Sequence, residues 1–87
     1  MTHIILLTEP RCDLCDRAKE ILHYLSAEFE FLLTEIDLAS DEGRELAMRH
    51  IVLFAPSLII DGELFGYGRI SEHKLRQTLA SIRSTGA

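Results

Sequence analysis

Apolar positions change their spacing several times along this chain, and each change marks an element. From His3 to Thr8 the run Ile4-Ile5-Leu6-Leu7 is continuous, the pattern of a strand covered on both faces. Glu9-Pro10-Arg11 ends it, because Pro10 brings no N–H to a ladder and biases Glu9 away from helix. From Leu14, Ala18, Ile21, Leu22 and Leu25 recur at helical spacing, with Asp16, Arg17, Lys19, Glu20 and His23 on other faces, so the first helix is expected to reach about Ala27. Phe29 to Asp37 is rich in apolar and β-forming residues and predicts a second strand.

Ser40 or Asp41 caps the next expected helix, with acidic residues in its first turn and Leu46, Ala47, His50 and Ile51 as its apolar stripe. Gly43 weakens that helix on propensity alone. Leu53-Phe54-Ala55-Pro56 then leads into Ser57-Leu58-Ile59-Ile60, and Asp61-Gly62 before Glu63-Leu64-Phe65 is a two-residue hairpin signal. Gly66-Tyr67-Gly68-Arg69-Ile70 is expected as the exit loop. Ser71 is the N-cap of a last helix carrying Leu75, Leu79 and Ile82, and Ser84-Thr85-Gly86-Ala87 is expected to fray. The order is β-α-β-α-β-β-α, with strands one and two parallel and the final hairpin extending the sheet in the antiparallel sense.

Composition narrows the classes. Residues 1–87 are enough for a single domain with a modest core, and 47% hydrophobic with 26% charged residues is ordinary for a globular chain. A formal charge of −5 argues against a nonspecific binder of nucleic acid or of anionic membranes. Ile4 to Leu7 is too short to span a bilayer, and no leader pattern is visible, so a cytoplasmic protein, expected as a monomer, is the reading.

The chemistry concentrates at Cys12-Asp13-Leu14-Cys15, the only two cysteines in the sequence. They lie between the first strand and the first helix, a setting that reads as a thiol/disulfide redox pair more readily than as a staple. Unsatisfied N–H groups at a helix start favour a thiolate, and in such motifs the attacking thiol's pKa falls from about 8.5 to about 7 or below. Cys12 is expected to attack and Cys15 to resolve the mixed disulfide. Arg11 favours a Cys12 thiolate and Asp13 opposes it. Two incidental thiols are the bland alternative. Zinc is another, yet His3, His23, His50 and His73 do not form paired ligand motifs with the cysteines.

Cys12-Asp13-Leu14-Cys15 after strand one, Ala55-Pro56 before strand three, Ile59-Ile60-Asp61-Gly62-Glu63 and Gly66-Tyr67-Gly68-Arg69 occur in the order of a known family. In these features the chain resembles the thioredoxin-fold superfamily, and within it the glutaredoxin-like proteins, over nearly its whole length. The resemblance implies an α/β thioredoxin-like, glutaredoxin-type fold, a four-stranded mixed sheet flanked by three helices. It implies a cis Ala55–Pro56 bond facing the dithiol, with the backbone of Ala55 open to an extended substrate. Asp13-Leu14 replaces the Pro-Tyr pair common in glutaredoxins, and the Gly66 to Arg69 loop differs from their glutathione-holding glycines and acids.

The expected function is a disulfide oxidoreductase for protein or small-molecule disulfides, without a bound cofactor. Glutathione or a thioredoxin-reductase-like flavoenzyme is the expected electron donor. Arg11, Ala55, Pro56, Gly68 and Arg69 are the candidate substrate-binding residues, Arg69 as a carboxylate clamp or as an ordinary solvated arginine. Phe54 and Tyr67 read either as substrate contacts or as edge packing. Glu35 or Asp37 is a candidate proton acceptor for Cys15. A cluster shared between two chains through Cys12 is an alternative that the resemblance allows. The competing function is a non-catalytic or redox-sensing interaction module of the same fold.

Overall fold

The computed structural model describes residues 1–85. Its elements are β1 (Thr2–Thr8), α1 (Asp13–Leu25), β2 (Phe31–Asp37), α2 (Asp41–His50), β3 (Ser57–Ile60), β4 (Glu63–Tyr67) and α3 (Glu72–Thr85), the expected order. The strands make one sheet, β2-β1-β3-β4. β1 and β2 run parallel from Thr2↔Phe31 to Thr8↔Asp37, while β3 is antiparallel to both β1 and β4. This is the thioredoxin-like mixed sheet.

β1 is a continuous apolar run because it is covered twice. Alternate side chains point to opposite faces: Ile4 and Leu6 join Ala18, Ile21, Leu22 and Leu25 of α1 and Leu75 and Leu79 of α3. Leu7 packs on the other face with Ile59 and Val52, against Leu46 and Ala47 of α2. At about 1.5–3 kcal/mol for each large apolar side chain buried, the α1/α3 face holds most of the fold's hydrophobic stabilisation.

Several boundaries differ from expectation, each for a local reason. α1 stops at Leu25, where Phe29 N–H closes a turn on the Leu25 carbonyl at 2.9 Å. Phe29 thereby enters the core instead of starting β2. β4 extends through Gly66 and Tyr67, which pair with Leu58 and Ser57 rather than forming the exit loop, because a bulge opposite Leu58/Ile59 absorbs one residue. Ser84 and Thr85 are helical instead of frayed; Gly86 and Ala87 lie outside the described residues. The Asp61-Gly62 turn is as expected, with φ of 48° and 84° at its two central residues, the left-handed pair a two-residue hairpin requires.

α2 shows two departures. Ser40 is its N-cap, its Oγ accepting from Gly43 N–H at 3.0 Å. Gly43, read from sequence as a weakness, is buried against the end of β2. A Cβ there would overlap the Asp37 carbonyl oxygen and lie 2.9 Å from the Leu38 Cα, so a side chain would push the helix off the sheet. At the other end, Ile51 leaves the expected apolar stripe and is 89% exposed. Its N–H bonds to the Met48 carbonyl and that of Val52 to the Ala47 carbonyl, the Schellman pattern that closes a helix with a left-handed residue. Ile51 takes that conformation, φ 54° and ψ 48°, at a cost of about 1–3 kcal/mol for a β-branched side chain. Among the described residues, no helix is long and apolar enough to cross a membrane.

Candidate redox site

β1 and β3 are antiparallel and Leu7 pairs with Ser57, which in turn pairs with Tyr67. The end of β1, the start of β3 and the end of β4 therefore share one edge of the sheet. From that edge the chain turns through Glu9, Pro10 and Arg11, the last with φ 55°, into Cys12. This topology gathers Arg11, Cys12, Ala55, Pro56, Gly68 and Arg69 at one end of the molecule, while Asp61-Gly62 turns at the other.

Cys12 is the N-cap of α1, extended at φ −117° and ψ 103°. Its carbonyl receives the first helical hydrogen bond, from Asp16 N–H at 3.1 Å, and its Sγ accepts from Cys15 N–H at 3.0 Å. The sulfur thus occupies the place that a serine or aspartate oxygen takes in an ordinary cap. The two cysteines form a disulfide, with their Cα atoms 5.1 Å apart. Cys12 is half-buried, whereas Cys15 is 1% exposed beneath it. On reduction, an N–H donor and the helix terminus would favour negative charge on the outer sulfur. Asp13 and Asp16 in the first turn act against that field.

The Ala55–Pro56 bond is cis, as the family resemblance implied. Pro56 is fully buried, and its carbonyl accepts from Gly68 N–H at 2.8 Å, with Gly68 at φ 73°. Ser57, buried completely, donates its Oγ–H to the Phe54 carbonyl at 2.6 Å. Sequence reasoning missed this bond, since a lone serine at a strand start gives no signal of its partner. Between these two ties Ala55 is left half-buried, and among the described residues its backbone makes no turn or loop hydrogen bond. Phe54 and Tyr67 stack with ring centroids 6.3 Å apart, yet are 60% and 56% exposed. They are edge packing and open surface at once. Arg11 and Arg69 are exposed and enter no ion pair among the described residues.

The candidate proton acceptors do not fit their expected role. Glu35 and Asp37 are exposed on the outer strand β2. Glu35 pairs with Lys19 at 2.9 Å, and Asp37 caps Ala39 N–H at 2.8 Å. The hydrogen bond to Glu35, reinforced by its charge, raises the Lys19 pKa. Among the described residues the buried polar side chains are Thr8 and Ser57, and no carboxylate is among them. β2 is an edge strand with its outer residues in water, which an apolar-rich sequence did not reveal.

A glutaredoxin-like domain model (DUF836) matches residues 3–80. The chain belongs to the glutaredoxin-like domain family. An uncharacterized protein of Mycobacterium tuberculosis is 33% identical over 82 residues, 92% of this chain and 82% of that one. A probable thioredoxin of Archaeoglobus fulgidus is 25% identical over 83 residues, 95% and 91% of the two chains. A mutant thioredoxin from Halobacterium salinarum shares the fold with a TM-score of 0.71 at 23% identity, covering 92% of this chain and 73% of its own. This glutaredoxin-like domain is accordingly a thioredoxin fold with its C-x-x-C pair closed as a disulfide at the start of α1.

Proposed function

We propose that the chain is a thiol-disulfide oxidoreductase working by a dithiol mechanism. The asymmetry of the pair carries this reading: Cys12 is half-exposed at the helix terminus with an N–H on its sulfur, and Cys15 is buried behind it. In the reduced protein the Cys12 thiolate attacks a substrate disulfide, forming a Cys12–substrate bond as the first substrate thiolate leaves. Cys15, deprotonated, attacks the Cys12 sulfur; the Cys12–Cys15 bond forms and the second substrate thiolate leaves. Two electrons pass to the substrate, and each departing thiolate takes up a proton.

Around this exchange, the free backbone of Ala55 beside Pro56 suits an extended substrate lying over the disulfide. Gly68 leaves room beside it, and Arg11 and Arg69 suit carboxylates on the same ligand. Protein or small-molecule disulfides are the substrates, in a reducing cytoplasm. Glutathione or a thioredoxin-reductase-like flavoenzyme returns the two electrons. A disulfide-reduction assay supplied with each donor in turn tests the reading. Turnover is expected with one of them and is lost in Cys12→Ser, while Cys15→Ser accumulates a mixed disulfide at Cys12. No turnover with either donor, together with an unreactive Cys12, would leave the interaction-module reading in its place.

A further inference from the structure

The sheet has two edges, β2 and β4, and they are not alike. β4 is bent by the bulge opposite Leu58/Ile59, one of the devices that keep a natural edge from pairing. β2 runs its seven residues in unbroken register with β1 and holds no bulge, proline or lysine. Backbone groups alternate in direction along a strand, and Leu38 N–H, just beyond β2, bonds inward to the Thr8 carbonyl at 2.7 Å. Even-numbered residues of β2 therefore face β1, and Phe31, Leu33 and Glu35 turn their N–H and C=O groups outward. The Asp37 carbonyl keeps the same phase, lying outward where it accepts from Ser40 N–H.

The side chains suit a copy of the same strand. Leu32 and Leu33 are 58% and 43% exposed, an apolar load that protected edges avoid. In a two-fold antiparallel pairing centred on Thr34, Leu33 exchanges backbone hydrogen bonds with the partner's Glu35. Leu32 then stands opposite the partner's half-buried Ile36 in the closer, non-hydrogen-bonded kind of pair. Each strand carries both halves of these pairs, so each forms twice. The acids fit this register: Glu35 and Asp37 face Leu33 and Phe31, and both are engaged at home, Glu35 by Lys19 and Asp37 by Ala39 N–H. Centring on Glu35 would set that carboxylate against its own copy, and centring on Leu33 would set Ile36 opposite Glu30. We infer that two copies of this chain pair through β2, joining two four-stranded sheets into one, a dimer in place of the expected monomer. Because the paired strands run antiparallel, the two redox edges lie at opposite ends of the assembly and both stay open. The pairing does not depend on the dithiol reading.

A seven-residue edge is a small interface, so dissociation is expected near about 10 μM. Sedimentation of the full chain from about 1 to 500 μM should show a monomer–dimer equilibrium. Leu33→Pro removes an outward N–H and no bond to β1. It should stay folded by circular dichroism and sediment as a monomer across that range. Thr34→Cys, in a Cys12→Ser/Cys15→Ser background where no other thiol competes, should cross-link to a covalent dimer under oxidised glutathione, because the pairing puts the two residue-34 Cα atoms about 4.5 Å apart. Leu32→Cys in the same background should link at least about tenfold more slowly, its copies lying about 14 Å apart. A parent that stays monomeric throughout, a dimer that Leu33→Pro leaves intact, or Leu32→Cys linking as fast as Thr34→Cys would each overturn the inference.

Discussion

On one face of the sheet α1 and α3 bury Ala18, Ile21, Leu22, Leu25, Leu75 and Leu79 against Ile4, Leu6, Leu58 and Ile60. On the other face Gly43 is the one buried residue of α2, with Leu46 and Ala47 half-covered over Leu7, Val52 and Ile59. The first face is closed and the second is thin. A thin face costs stability and leaves apolar side chains at the end of α2 in water. The closed face, by contrast, seats α1 firmly, and the α1 N-terminus holds both sulfurs.

Truncations on the two faces should differ most. Leu22→Ala is expected to lower the unfolding free energy by about 2–5 kcal/mol, and half-buried Leu46→Ala by about half as much. Urea denaturation of both variants measures the ratio, and equal losses would break the distinction between the faces. Next in size is Gly43→Ala. Helix propensity alone expects a gain of about 1 kcal/mol, whereas overlap with the Asp37 carbonyl expects a loss of about 1–3 kcal/mol. The sign of the change decides whether close contact of α2 with β2 matters more than helix formation.

Ile51→Gly should act in the opposite sense, stabilising the protein by about 1 kcal/mol by relieving the left-handed strain. A fall in melting temperature instead would mean that the exposed isoleucine packs on the thin face after all. The smallest effect belongs to Lys19 and Glu35, which tie α1 to β2 in water. Because the Lys19 pKa is raised in the folded state, the pair's contribution is complete below the ordinary lysine value of 10.5 and is lost as pH rises through the raised value. The difference in melting temperature between the parent and Lys19→Met should therefore be flat across neutral pH and disappear in strong alkali.

The element order was legible because periodicity reports burial directly. Ile4 to Leu7, the Ala18 to Leu25 stripe and the Asp61-Gly62 turn each state a local rule that the fold obeys. The dithiol was legible for the same reason, since its spacing and its place at a helix start are local. Gly43 and Ile51 were misread because their roles depend on what stands opposite. Only the packed structure shows that a carbonyl abuts Gly43 and that Ile51 is left exposed. Glu35 and Asp37 failed as proton acceptors because an edge strand and a central one look alike in sequence until the strand order is known.

By itself, then, the chain's pattern determined where strands and helices form and placed the C-x-x-C pair at the start of α1. These depend on neighbours a few residues apart. The tertiary structure decided which strand lies at the edge, what holds the Phe54 to Pro56 turn, and which apolar residues remain in water. Those depend on contacts between Leu7, Ser57 and Tyr67, and between Asp37 and Gly43, groups that meet only when the sheet closes.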